Sequence, residues 1–339
     1  VTTLARKPPA FPDRSTARAA NSATGNATES ASDSANGWLW FPGRLRPLAV
    51  EGAAQLRAPL DLCLPGWSGK LVSNAEQNPP ADWDRLLVSP LAPERSPSGN
   101  PGFRVHCDLF PGGSFDCGDA LEAANALAGA LTGRYVAQDP RLLQLHAASV
   151  TLGHQGKAGQ VLLLGDSQAG KSSLALQLAR RGKRLFGDDR LAVRLDGPPT
   201  QAIGLGVGPK VRLPLPDKID SAQRHFIARY QVAEREAVAH LILPPALLAP
   251  LGACCPVVAL VLLDRRQEAA PPPARPGQLT PLGRAPLLRH LLPKCLAPHL
   301  SAPALLAAGR RLAETLPAWR LTYADSSRAA ELLIAHFES

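Results

Sequence analysis

In the second half of the chain, short apolar runs alternate with segments that carry the 3.6-residue spacing of helices. "QVLLLG", residues 160–165, has the pattern of a buried strand entering a turn. Lys171 to Arg181 follows, with Leu174, Ala175, Leu178 and Ala179 on one helical face. Arg180 and Arg181 fall in its last turn, where the helix dipole favours cations, and Gly182 suits a left-handed stop. "KRLFGDD", "RLAVRLD", "HLILP", "VVALVLLD" and "AWRLTYAD" read as further strands, and "LLQLHAASV" as a strand ahead of the first run. Helices are expected near Ser221–Tyr230, Ala285–Leu292 and Ala302–Leu316, and from Ser326 onward. Strands alternating with helices predict an α/β domain over residues 140–339.

Upstream, from Trp38 to Asp139, the pattern is less regular. "FRVHCDLF", residues 103–110, alternates like a strand, and "PPADWDRLLVSPLAPERSPSGNPG" looks like surface loop. Leu121, Ala124, Leu127 and Leu131 predict a helix capped by Asp119. This is a small accessory α+β region, 38–139, without identifiable chemistry. Residues 1–37 lack apolar periodicity, end in a Ser/Thr/Asn/Ala-rich tract and read as a disordered tail. They hold no apolar core of signal-peptide length.

Length and composition narrow this picture. A chain of 339 residues has room for roughly two domains. Its 34 prolines, about twice ordinary usage, favour short elements and exclude a long coiled coil. Residues 241–263 carry no charge, but Pro244, Pro245, Pro250 and Pro256 serve a membrane helix poorly, so two buried strands joined by a loop are expected. The net charge of +9 is not clustered, so neither a nucleic-acid nor a membrane partner is expected. The six cysteines form no C-x-x-C pair and are expected to be buried, reduced thiols in a soluble, cytoplasmic protein.

Candidate chemistry sits between the first strand and its helix. Gly165, Asp166, Ser167, Gln168, Ala169, Gly170, Lys171 and Ser172 spell G-x-x-x-x-G-K-S, followed by Ser173. The glycines let consecutive N–H groups converge on an anion, and the helix points its positive end at the same place. Lys171 supplies a mobile charge for β- and γ-phosphates, and Ser172 a hydroxyl for Mg²⁺. A phosphoryl transfer also needs carboxylates. Asp188 and Asp189 close the strand after the helix, where neighbouring residues face opposite ways and one can turn to the metal. Asp264, ending "VVALVLLD", is a weaker second candidate.

The run "LHAASV … VLLLGDSQAGKSSLALQLARRGKRLFGDDRLAV", from 142 to about 194, resembles the catalytic domain of the HPr kinase/phosphorylase family, especially its HPr-kinase-related bacterial relatives. A weaker echo follows in "PKVRLPLP", 209–216. The order of histidine, P-loop and R-G-x-R-L-x-x-D-D is more specific than the P-loop alone. The resemblance implies an α/β P-loop kinase domain of the HPr kinase/phosphoenolpyruvate-carboxykinase-like type, using ATP and Mg²⁺ to phosphorylate a serine of a protein or peptide. It makes Asp188 the general base, Asp189 its acidic neighbour near the metal, and His146 a histidine close to the phosphates. The family's E-[IV]-R-G-x-G signature is absent; "AIGLGVGPKVRLPLP" stands in its place, with Lys210 and Arg212 as possible phosphate contacts. That departure argues against HPr itself as substrate. The resembled kinases form hexamers, so a homo-oligomer is open to test. The alternatives are a kinase of a small hydroxyl compound such as free serine, and a nucleotide-binding regulator without turnover.

Overall fold

The computed structural model describes residues 38–72, 79–154, 157–216, 219–265 and 277–339; the tail expected over residues 1–37 lies outside them. It is a mixed α/β structure with three sheets and seven α-helices among the described residues.

The first sheet uses β1 (Trp38–Phe41), β2 (Leu48–Glu51), β3 (Lys70–Val72), β4 (Asp84–Leu91), β5 (Gly102–His106) and β6 (Ser114–Cys117) in the order β3-β1-β2-β4-β5-β6. β4 corrects the sequence reading, which took this stretch for surface loop. Its prolines suggested a loop, but Leu86, Val88 and Leu91 are buried core residues, and tertiary burial of alternate side chains outweighs proline here. β5 is likewise shorter than expected: Cys107–Phe110 turns back to meet Gly113.

Two helices cover this sheet, α1 (Arg57–Cys63) and α2 (Ala120–Ala137). Asp119 caps α2 as expected, accepting from the Glu122 N–H at 2.8 Å. α2 is buried on most of its circumference, from Ala123 and Ala124 through Leu127 and Leu131 to Val136. A helix buried all round lies between layers. One core joins α2 and the first sheet to Leu142, Ala192, Ile203, Leu205 and Val207 of the second half.

The second half is built from β7 (Leu142–Leu145), β8 (Ala148–His154), β9 (Lys157–Leu164), α3 (Lys171–Arg180), β10 (Leu185–Gly187), β11 (Leu191–Arg194), β12 (Gln201–Ile203), β13 (Lys210–Arg212), α4 (Ser221–Tyr230), β14 (Gln231–Arg235), β15 (Val238–Leu241), β16 (Cys254–Arg265), β17 (Gln278–Pro281), α5 (Arg284–Leu291), α6 (Ala302–Thr315), β18 (Ala318–Tyr323) and α7 (Ser326–Phe337). The large sheet runs β10-β8-β9-β16-β12-β11-β7, with β18 beside β16 and β17 beside β18; β13-β15-β14 is a separate three-stranded sheet. β9, β16 and β18 are parallel neighbours, and β9 and β16 carry the apolar runs expected for strands covered on both faces. α3 ends as the sequence suggested: Gly182 is left-handed (φ 80°), and the Lys183 N–H returns to the Leu178 carbonyl at 3.0 Å.

One expected strand is two. "LLQLHAASV" divides at His146–Ala147: β7 pairs with β11, whereas β8 pairs with β9 and β10. These partners lie in opposite halves of the sheet, and the β10–β11 connection makes the same passage beside it. Such corners are made by short bends in the chain. His146 lies in one and Asp188–Asp189–Arg190 in the other.

Candidate active site

β9 delivers the chain into the loop 165–170. Gly165 admits no side chain, since a Cβ there would stand 2.8 Å from the Ala169 Cβ. Gly170 is left-handed (φ 88°), and a Cβ on it would lie 2.5 Å from the Tyr323 hydroxyl. The first α3 bond runs from Leu174 N–H to the Gly170 carbonyl (2.9 Å), which leaves the preceding amides of the first turn aimed outward.

The predicted loop residues divide into two groups. Ser167, Gln168, Gly170, Lys171, Ser172 and Ser173 line a cavity of about 510 Å³. Gly165, Asp166 and Ala169 brace the loop from behind. Lys171 Nζ donates to the carbonyls of Gly165 (2.9 Å) and Asp166 (3.1 Å). Lys294 Nζ donates to Asp166 Oδ1 (2.8 Å), which holds that carboxyl below its usual range. The Tyr323 hydroxyl donates to the Ala169 carbonyl (2.6 Å).

His146, Asp188, Asp189, Lys210 and Arg212 line the same cavity. The acidic pair is not on a strand: β10 ends at Gly187, and Asp189 is left-handed (φ 76°) in the bend beyond it. That bend, rather than strand alternation, separates the two carboxylates. Asp188 is 3% exposed, and its Oδ1 has no hydrogen-bond partner among the described residues. Burial first, then Asp189, pushes Asp188 up to about 6, against the opposing pull of the Ser172 hydroxyl, the Lys210 main-chain N–H and Lys171. Asp189 goes the other way. The His146 ring, 2.8 Å away, holds it down at about 2. Two adjacent carboxylates pushed apart in this manner suit different tasks, one accepting a proton near neutrality and one staying charged. Lys171 is itself lowered, by burial and then by Lys294.

Among the described residues, no cluster of three or more His, Cys, Asp or Glu side chains is arranged to hold a metal alone. Mg²⁺ rarely uses such a cage; one or two carboxylates, a hydroxyl and phosphates suffice. The donor set fits it: Ser172 and Asp189 line the cavity, and the unpartnered buried Oδ1 of Asp188 lies beside them. Asp264 does not fit. It is exposed, receives the Thr322 hydroxyl at 3.4 Å, and lies outside the cavity, which the next residue, Arg265, lines instead.

Several site residues carried no local sequence signal. Lys294 lies 128 positions from Asp166. Its carbonyl also accepts the His146 main-chain N–H at 2.7 Å, so one loop braces both the P-loop and the histidine corner. Tyr323 ends a strand next to β16, and the rule that ligands gather at the carboxyl ends of parallel strands could have singled it out. The accessory region, without chemistry in the sequence reading, supplies Cys63, Asn125, Ala128 and Gly129 to the cavity wall. The cysteines are free thiols as expected, but of the six only Cys63, Cys107 and Cys117 are buried; Cys255 and Cys295 are half-buried, and Cys254 is exposed at the start of β16.

No family model matches the chain, and no curated protein matches it. Among solved structures, it is similar to the HPr(Ser) kinase/phosphatase from Coxiella burnetii over 57% of this chain and 89% of that one, at 13% identity and a TM-score of 0.30. A score of that size does not define a shared fold. The chain is a mixed α/β protein in which a glycine-bounded strand-to-helix loop and an acidic pair line one cavity. No helix of the described residues is long and apolar enough to cross a membrane.

Proposed function

We propose that this protein is an ATP- and Mg²⁺-dependent kinase of the HPr-kinase-like type, acting in the cytoplasm on a serine hydroxyl of a protein or peptide other than HPr. The observation that carries this reading is Asp188: a buried carboxylate with an unpartnered oxygen, raised toward neutrality, in the same cavity as Lys171 and Ser172. A structural turn gains nothing from such a group, because a buried unsatisfied oxygen costs roughly 1–3 kcal/mol.

The loop amides and Lys171 would hold the triphosphate, and Ser172 with Asp189 the metal. Bound Mg²⁺ would neutralise charge on the phosphate oxygens. Asp188 accepts the proton of the serine hydroxyl as that oxygen bonds to the γ-phosphorus. The bond from the γ-phosphorus to the bridging oxygen breaks, and ADP departs with the electron pair. Asp189 keeps its charge through the step because His146 donates to it. The test is incubation with γ-labelled ATP, Mg²⁺ and serine-bearing proteins and peptides. Label transferred by the wild type and lost in Asp188→Asn supports the reading; undiminished transfer by the variant removes Asp188 as the base.

A further inference from the structure

The cavity has a wall that phosphate binding and proton transfer do not use. It is made by Cys63 at the end of α1, by Asn125, Ala128 and Gly129 on α2, and by Arg190, the residue after the acidic pair. We propose that this wall is the acceptor subsite and that it selects acceptors bearing a carboxylate close to the hydroxyl, held by the Arg190 guanidinium and the Asn125 side-chain amide. The inference rests on the phosphotransferase reading above.

Three observations carry it. Arg190 is half-buried, yet among the described residues no acid stands within ion-pair distance of it; its neighbour Asp189 is engaged by His146. The Arg190 guanidinium lies against α2 at Gly129, where an added Cβ would come within 2.9 Å of Nη2. Gly129 thus makes room for a planar fork whose geometry suits a carboxylate. Finally, the Asn125 Oδ1 is occupied by the Cys63 thiol at 3.2 Å. Burial pushes that thiol up to about 11, so it remains a donor, and Asn125 is left with N–H groups to offer. Lys210 adds a further cation to the cavity. A subsite furnished with donors alone selects an acceptor-rich, anionic ligand.

The test is calorimetric binding to the full chain in the presence of a non-hydrolysable ATP analogue and Mg²⁺. Two matched pairs serve as probes: L-serine against L-serinamide, and a serine peptide with flanking aspartates against its asparagine counterpart. In the wild type the acidic member of at least one pair binds at least tenfold more tightly; the serine pair points to a small hydroxy acid, and the peptide pair to an acidic peptide. Arg190→Ala abolishes that preference while the analogue's affinity stays within twofold, and Arg190→Lys retains part of it. Asn125→Asp, isosteric and able to keep the Cys63 contact, weakens the acidic member, and Gly129→Ala acts in the same direction. Absence of acid preference in both pairs, or its survival in Arg190→Ala, overturns the subsite while leaving the kinase reading standing. Failure of the wild type to bind the analogue overturns both.

Discussion

The His146 Nε2 stands 2.8 Å from the Asp189 Oδ1, and the two residues belong to adjacent corners where the chain passes between halves of the large sheet. The contact fixes an exposed, left-handed aspartate whose side chain would otherwise be free to turn. His146→Ala is therefore expected to lower kcat about 100-fold, the scale of a loss of alignment by an ångström, and to raise KM for MgATP. His146→Gln, which keeps a donor, should lose less. Steady-state kinetics of the three proteins checks this, and equal rates would reduce the contact to scaffolding.

Asp188 sets stability against function. Its carboxylate is buried beside another and has an oxygen without a partner. Asp188→Asn removes the buried charge, so without nucleotide or Mg²⁺ the variant should be more stable at pH 7 by roughly 1–3 kcal/mol. Transfer should fall by about 10²- to 10⁴-fold, as expected for loss of a general base. Denaturant melts and label transfer measure the two effects, and a less stable variant would contradict the burial argument.

Lys171 provides the test of the loop itself. MgATP at about 100 times its Kd should stabilise the wild type by about 2.7 kcal/mol. Lys171→Ala, which lacks the charge intended for the β- and γ-phosphates, should lose most of that shift. A full shift in the variant would place the nucleotide elsewhere.

Much of this site was legible in the sequence because its parts are local. Gly165–Ser173 is contiguous, and the strand-to-helix context could be read from Val161–Leu164 and from Leu174, Ala175 and Leu178. The strands β9 and β16 were equally plain, because parallel buried strands read as apolar runs, whereas the short strands β12, β13, β14 and β17 carry no such run and were not read from the sequence. What stayed hidden depends on distant contacts. β4 was masked by Pro90 and the proline-rich sequence around it, and the break at His146 by the apolar residues on either side of it. Lys294, Tyr323 and the α2 wall meet the P-loop only after the sheet has curled and α2 has been enclosed between the first sheet and the second half.

Tyr323 tests the bracing of the P-loop from β18. Its hydroxyl, buried and pushed up in pKa by desolvation, donates to the Ala169 carbonyl at 2.6 Å. Tyr323→Phe keeps the ring and removes only this bond, leaving the carbonyl unpartnered. A stability loss of about 1 kcal/mol is expected, with a several-fold higher KM for MgATP and little change in acceptor KM. Unchanged nucleotide kinetics would show that the loop holds its shape without β18.

His240 governs a different property, the acid sensitivity of the fold. It lies on β15 opposite Lys210 of β13, 2% exposed. Burial first, then the charges of Lys210 and Arg235, lowers it to about 4, against an unfolded value of about 6.5. The native state therefore holds His240 neutral where the unfolded chain has already taken up a proton. Above about pH 6.5 both states are neutral and no penalty arises; as pH falls from there toward 4, stability drains away, by about 3 kcal/mol at roughly 1.4 kcal/mol per pH unit. His240→Gln has no such proton to bind, so the gap between wild type and variant in denaturant melts should change by that amount between pH 7 and pH 4, in favour of the variant. Parallel pH dependence in the two proteins would remove His240 as the source of the acid sensitivity.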